Sequence, residues 1–259
     1  MYLEIPQLTG SVWKVWLRNR DVFMKTFRVN FIPPFIQPLL YLLAIGFGVG
    51  TFVNTVDGMP YPKFIAPAII ATGIMNSSFF ECTFATYVRM YFQKTFDAII
   101  ATPLSIEEVI VGELLWGATR STIDTILMLP VLAAFGVLEF PQSLLVIPFA
   151  FIGGFLFATI AMCFTAITPN IDSLNYPSFL FVTPMFLFSG TFFPLSLLPQ
   201  PVQYMALAVL PLTHVVIIVR SFTTATLSGM VLLSLGWIVL VSLLFFLLSV
   251  NLMKRRLIA

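Results

Sequence analysis

The chain has 259 residues, 59% of them hydrophobic, 15% aromatic and only 9% charged, with a net charge of +2 and a mean hydropathy of +1.01. Soluble domains are nearer about 45–50% apolar, so this composition excludes a soluble globular domain and leaves almost no room for one beside a membrane part. Cys82 and Cys163 both fall inside apolar runs, which excludes a disulfide framework.

Residues 11–28 form the first predicted element, an amphipathic helix. Lys14, Arg18, Asp21, Lys25 and Arg28 are spaced 4, 3, 4 and 3, so they share one stripe. Trp13, Trp16, Phe23 and Phe27 fill much of the rest, and tryptophan beside basic residues describes a helix lying in a membrane interface. The run is not expected to be a signal peptide, because the apolar stretch begins only at Phe31 and is too long for an h-region. Residues 31–53 read as the first span, entered through Pro33, Pro34 and Pro38. Gly46, Gly48 and Gly50 thin its far end, where another helix could approach closely. Residues 54–63 form a polar turn, and residues 64–87 the second span, with Glu81 inside it.

A charged island follows. Between Arg89 and Asp124 lie Arg89, Lys94, Asp97, Glu107, Glu108, Glu113, Arg120 and Asp124, eight of the chain's 24 charged residues. Such a cluster cannot lie wholly in lipid and must face water or protein. Thr102-Pro103 ends a short helix over 94–101, because the residue before proline is pushed out of the α region. Ser105-Ile106-Glu107-Glu108 reads as a capping box that starts a new helix at Ile106. The short helix is either a docking element or part of an ordinary solvated loop.

The helix from Ile106 continues as the third span to about residue 138; residues 144–167 form the fourth, 173–193 the fifth and 230–253 the last. Residues 195–222 are apolar but cut by Pro199, Pro201 and Pro211. A seventh span there would send Lys254-Arg255-Arg256 to the side opposite the other basic residues, against the positive-inside rule. The stretch therefore reads as a re-entrant pair of short helices, tolerated where protein or a water-filled cavity surrounds it. With both termini cytoplasmic, ten of the 13 Lys and Arg fall in cytoplasmic segments. The expected fold is an all-α integral membrane protein: an interface helix, six transmembrane helices and a re-entrant hairpin before the last, in one domain. No two-fold repeat of the kind common in secondary transporters is visible.

Catalytic motifs are missing. Lys25-Thr26 and Lys94-Thr95 follow Met24 and Gln93 where a P-loop needs glycine, so ATP binding by that route is excluded. His214 has no cysteine or carboxylate beside it at ligand spacing, and a hydrogen-bonded interfacial histidine is expected rather than a metal ligand or a base for Ser221. Glu113, Gly117, Arg120 and Asp124 share one face of the third span. Arg120 can pair with Asp124 four residues on, and Glu81 is the expected cross-helix partner of Arg120. The set is either a structural salt-bridge cluster or a relay; pairing argues for the first, since a relay usually leaves a carboxylate unpaired. In the fifth span, Ser189-Gly190-Thr191 among Phe188, Phe192 and Phe193 leaves room for a substrate cavity.

With these pieces placed, the chain resembles the permease subunit of type-2 ABC exporters along nearly its whole length. The most specific stretch, 187–220, carries a small-residue turn, then FFPLS and LP, then PLTH and a closing arginine. The TPLS of 102–105 after a charged short helix is similar to the family's coupling region, and the opening residues look most like the branch that exports lipo-oligosaccharides in bacterial nodulation. The resemblance implies a homodimer in the cytoplasmic (inner) membrane bound to two copies of a separate P-loop ATPase, which holds the ATP and Mg; no cofactor is expected in this chain. It implies a coupling helix made of Gln93, Lys94, Thr95, Phe96, Asp97, Ala98, Ile99, Ile100, Ala101 and Thr102. It places Gly46, Phe188, Ser189, Gly190 and Phe192 near a cavity on the dimer axis. The cargo implied is amphiphilic, a lipid-linked saccharide or a hydrophobic drug-like molecule, with no nucleic acid involved. The competing reading is an ion-coupled secondary transporter using Glu81, Glu113, Arg120 and Asp124.

Overall fold

The computed structural model describes residues 6, 8–53, 55–226 and 229–258. Asn54, the first residue of the expected polar turn, lies outside them. Among the described residues the fold is all-helical apart from one small hairpin. There Thr55–Val56 pairs antiparallel with Met59–Pro60, and Asp57 and Gly58 turn the chain with φ of 50° and 76°. Asp-Gly is the sequence such a turn prefers, because both central residues must be left-handed.

Helix α1 (Val12–Lys25) buries Val12, Val15, Asn19 and Phe23, spaced three and four apart. Lys14, Asp21, Lys25 and Arg28 lie exposed. Thr26, with φ −106° and ψ 9°, interrupts the helical ladder. The chain then enters α2 (Phe27–Thr51), which loosens into a π-turn over Leu42–Gly48. Helix α3 (Tyr61–Phe92) starts on Pro60 with Pro62 in its first turn, where a missing N–H costs nothing, and carries π-turns at Glu81–Ala85 and Val88–Phe92. The short α4 (Thr95–Ile100) and the long α5 (Ile106–Ala134) follow. The capping box at the head of α5 is present: Ser105 Oγ accepts from the Glu108 amide at 3.2 Å, and Glu108 Oε2 accepts from the Ser105 amide at 2.8 Å.

Helix α6 (Val146–Ile167) precedes a broken run, α7, over 172–188, made of short 3₁₀, α and π pieces. Helices α8 (Gln200–Val209) and α9 (Pro211–Thr223) meet at 90° at Pro211. Helix α10 (Met230–Ile258) closes the chain.

Among the described residues four helices are long and apolar enough to cross a membrane: Phe27–Thr51, Tyr61–Phe92, Gln142–Ile167 and Met230–Ile258, or five spans if the bent α8–α9 pair counts as one. These four correspond to the expected first, second, fourth and last spans. The expected third and fifth differ. Helix α5 has ample length, 29 residues or about 44 Å, but its charges keep it out of that set. The expected fifth span is helical only over 172–188 and ends at Phe188, before a left-handed Gly190 with φ +73°.

Helix α5 is the hub. It packs on α1, α2, α3, α4, α6 and α10. Missing side chains allow the closest approaches. A Cβ on Gly154 of α6 would stand 1.9 Å from Ser121 Oγ, one on Gly112 would stand 2.6 Å from Val15 Cβ, and one on Gly117 would stand 2.6 Å from Cys82 Sγ. Gly117 therefore serves packing rather than the polar face on which its spacing put it. By contrast, only 22% and 17% of the residues in the apolar stretches of α2 and α10 are buried, against 78% for α3, so these two helices present apolar flanks outward.

The two ends of the bundle are pinned differently. At one end Lys254 pairs with Glu107 at 2.9 Å, Arg256 Nε donates to Tyr91 Oη at 2.9 Å, and Thr9 donates to Glu108. The start of α1, the end of α10 and α4 thus gather there. At the other end Lys63 pairs with Glu139, joining the hairpin to the loop after α5.

Candidate functional site

The charges expected within the membrane converge where α1, α3 and α5 meet. Arg89 is the centre: Nη1 donates to Glu81 Oε1 at 2.8 Å and Nη2 to Glu113 Oε2 at 2.5 Å. Glu113 is fully buried, and its other oxygen accepts from Asn19 Nδ2 of α1 at 2.9 Å. Glu81 Oε1 also accepts from Trp116 Nε1 at 3.1 Å. A buried carboxylate persists in a low-dielectric site only when paired and hydrogen-bonded, and both of these are.

The expected Glu81–Arg120 pair is therefore corrected: Glu81 belongs to Arg89. In a regular helix eight residues rise about 12 Å, beyond an obvious pairing distance. The two π-turns between and around these positions widen and shorten α3, and the arginine reaches back over two turns. Of the two settings open to the charged island, water or protein, Arg89 faces protein: its side chain is only 13% exposed. Asn19, which carries no charge to draw attention, completes the network from α1.

About two turns further along α5, Arg120 Nε meets Asp124 Oδ2 at 3.3 Å, the pairing their spacing predicts. Ser77 of α3 donates to the same oxygen at 2.6 Å, and the Arg120 guanidinium lies 4.6 Å over the Phe23 ring. Asp124 Oδ1 is buried and has no donor among the described residues.

These two groups wall a cavity of about 710 Å³ between α1, α2, α3 and α5. Asn30, Gln37, Asn76 and Ser77 add polar lining, and Phe80, Phe84 and Trp116 apolar lining. None of Gly46, Phe188, Ser189, Gly190 or Phe192 borders it. Ser189 and Gly190 instead form a buried turn whose Gly190 carbonyl accepts from Arg220 Nη2 at 2.8 Å, with Arg220 stacked 4.2 Å over Phe64. Tyr61 Oη donates to the Phe192 carbonyl at 3.2 Å, while Phe188 is partly exposed. Gly46 faces Ile65 of α3 at 3.5 Å, measured from a built Cβ.

Helix α4 is anchored by one side chain. Phe96 is completely buried, Ile99 and Ile100 are partly buried, and Gln93, Lys94, Asp97, Ala98, Ala101 and Thr102 are exposed. Thr95 Oγ1 accepts from Arg18 Nη2 at 3.3 Å, which ties α4 to α1. Lys94 enters it in the left-handed conformation, φ 47°, producing the sharp exit from α3.

His214 is hydrogen-bonded on both sides. Nε2 lies 2.8 Å from the Leu207 carbonyl, which requires the N–H there, leaving Nδ1 to accept from Ser234 at 3.1 Å. Its ring stacks on Trp237 at 4.3 Å. Ser221 is not its partner.

The family model described as ABC-2 type transporter matches residues 10–224. Nodulation protein J of Sinorhizobium fredii is 34% identical over 97% of both chains, and Nodulation protein J of Rhizobium meliloti 32% identical over 98% of both. The Escherichia coli inner membrane transport permease YadH is 21% identical over 71% of this chain and 72% of its own. No solved structure matches the chain. A match over most of the length, together with long apolar helices packed on a charged hub, makes this chain a membrane-embedded transport permease of the ABC-2 type transporter family.

Proposed function

We propose that this chain is the permease subunit of an ATP-driven exporter, powered by a separate ATPase and moving an amphiphilic cargo out of the cytoplasmic membrane. The cargo class is a lipid-linked saccharide or a hydrophobic drug-like molecule. In this reading α1 lies in the cytoplasmic interface, six segments cross the bilayer, residues 195–222 re-enter from the far side, and both termini are cytoplasmic. Two copies of the chain pair through the apolar flank of α2 and through that of α7, where Phe179, Leu180 and Leu187 lie exposed, and residues 93–102 seat in the ATPase.

The observation that carries the reading is α4. A six-residue helix sits at the end of the bundle where the chain's two ends gather, nailed in place by fully buried Phe96 and showing Asp97 and Ala98 outward. A solvated loop needs no such anchor; an element that must transmit force does. Glu81, Glu113 and Asp124 are each engaged by an arginine, which speaks against their serving as the ion relay of a secondary transporter.

The test is purification of the tagged chain from its native membrane in mild detergent, with all co-eluting chains weighed. A stoichiometric P-loop ATPase is expected. Its absence, even after cross-linking, removes the role given to α4 and returns the question to ion coupling.

A further inference from the structure

Helix α1 has three faces, and packing within the bundle accounts for one. Val12, Val15, Asn19 and Phe23 are buried. At about 100° per residue, Trp13, Leu17 and Met24 fall within about 40° of one another, and Lys14, Asp21 and Lys25 form a second row about 80° away. Trp13 and Met24 are exposed and Leu17 is half-buried; Lys14, Asp21 and Lys25 are exposed, as is Arg28 one turn on. Exposed apolar residues resume past Thr26 at Val29, Ile32 and Ile36 of α2, a helix apolar and long enough to cross a membrane. A ladder of rings one turn apart, Phe23, Phe27, Phe31 and Phe35, spans that junction with neighbouring centroids 5.7, 5.6 and 5.7 Å apart. The bilayer that takes α2 therefore meets the Trp13 row of α1 at its surface, where tryptophan and basic residues settle.

The charges decide which lipid lies there. Lys63, Arg89, Arg120 and Lys254 each meet a carboxylate within the protein. On α1, Arg20 and Asp21 pair with each other at 2.7 Å and cancel. Lys14, Lys25 and Arg28 have no acidic partner among the described residues, so the charged row carries three uncompensated cations. Because the buried face fixes α1 in the bundle, these cations are held beside the apolar row, at the level of the head groups. A zwitterionic head group brings its own cation to its phosphate. A net-anionic one does not, and its charge is left for the protein to answer. Each Lys or Arg near an anionic membrane surface favours association by about fivefold.

We propose that Lys14, Lys25 and Arg28, with Trp13 and Met24 beside them, form a docking surface for net-anionic phospholipid head groups, so that this protein selects such lipids over zwitterionic ones in the leaflet that α1 touches. The proposal rests on the reading of α1 as an interface helix, and not on export, cargo or the ATPase.

The probes are phosphatidylglycerol and phosphatidylcholine carrying the same diazirine near the top of one acyl chain, so that only the head groups differ. Each is mixed at trace level into phosphatidylcholine nanodiscs holding the purified full chain, photolysed and mapped by mass spectrometry. The phosphatidylglycerol probe should label peptides covering 12–28 at least about tenfold more than the phosphatidylcholine probe. Salt at about 1 M, where the Debye length is about 3 Å, should erase most of that preference. Lys25→Gln should lower it about threefold to fivefold. Arg20→Gln combined with Asp21→Asn removes a matched pair from the same helix and should leave it within about 1.5-fold, since the net charge is unchanged. Should Lys25→Gln fail to insert, Lys14→Gln is the equivalent change, and the salt series needs no variant. Equal labelling by the two probes, or a preference confined to peptides outside α1, would overturn the proposal. So would a lysine cross-linker joining Lys14 or Lys25 to a co-purified protein with the lipid preference missing, which would make this flank a protein contact. Labelling of α1 by neither probe would overturn it together with the interface reading of α1. An ATPase missing from the purified assembly would sink the exporter reading while leaving the labelling intact, so the failures are distinguishable.

Discussion

Arg89 and Glu113 meet at 2.5 Å inside the bundle, one at the end of the second long helix and the other near the start of the third. The carboxylate is fully buried and the guanidinium nearly so. Removing one partner strands the other charge, whereas removing both does not, and that asymmetry makes the pair testable. Arg89→Leu should destabilise the detergent-solubilised protein by about 3–5 kcal/mol. Arg89→Leu combined with Glu113→Gln should recover part of that loss. The measurement is a thermal melt followed by size-exclusion fluorescence; a double variant worse than Arg89→Leu would refute the account.

Gly154 is where the third and fourth long helices touch. A methyl group there would sit 1.9 Å from Ser121 Oγ and 2.9 Å from its Cβ. Gly154→Ala should therefore cost about 1–3 kcal/mol through overpacking. Ser121→Gly in the same chain should restore most of it, because the colliding side chain is gone. Equal melting temperatures for wild type and Gly154→Ala would mean that the helices separate freely.

The capping box at the head of α5 carries a smaller, separable energy. Ser105→Ala removes the acceptor for the Glu108 amide and should cost about 1 kcal/mol. Glu108 also accepts from the Thr9 amide at 3.2 Å and the Thr9 hydroxyl, so Glu108→Ala should cost more than Ser105→Ala. Melting curves of the two variants, measured side by side, rank them.

Within α4 the two faces should separate stability from coupling. Asp97 is exposed and Phe96 buried. Asp97→Lys should leave the melting temperature within about 0.5 kcal/mol of wild type, as surface changes do, while abolishing stimulation of the partner ATPase. Phe96→Ala should lower stability by about 3–5 kcal/mol. ATPase activity of the reconstituted assembly, read beside the melts, checks both; unchanged stimulation by Asp97→Lys would remove α4 from the interface.

Much of this was legible along the chain. The capping box of α5, the short helix before it and the Asp-Gly turn all depend on neighbours within a few residues, so spacing alone finds them. The Arg120–Asp124 pair belongs to the same class. The partner of Glu81 does not. It depends on π-turns that change the rise and angle of α3, and helical spacing assumes neither changes. Asn19 was invisible for another reason: a single amide in an amphipathic helix looks like any polar residue until Glu113 is seen opposite it. The end of the fifth segment was not legible because an apolar count over 173–193 does not register that the helix stops at Phe188, before the left-handed Gly190.

By itself, the sequence determined the membrane class, the all-helical character, the absence of a P-loop and the places where helices start. These follow from composition, from 3.6-residue periodicity and from local hydrogen-bond chemistry, each of which acts over one or two turns. The tertiary structure alone decided which charges pair, which glycines admit a neighbouring helix, and that a polar cavity opens between α1, α2, α3 and α5. Those outcomes depend on side chains brought together from positions up to a hundred residues apart, and no local pattern encodes the distance between them.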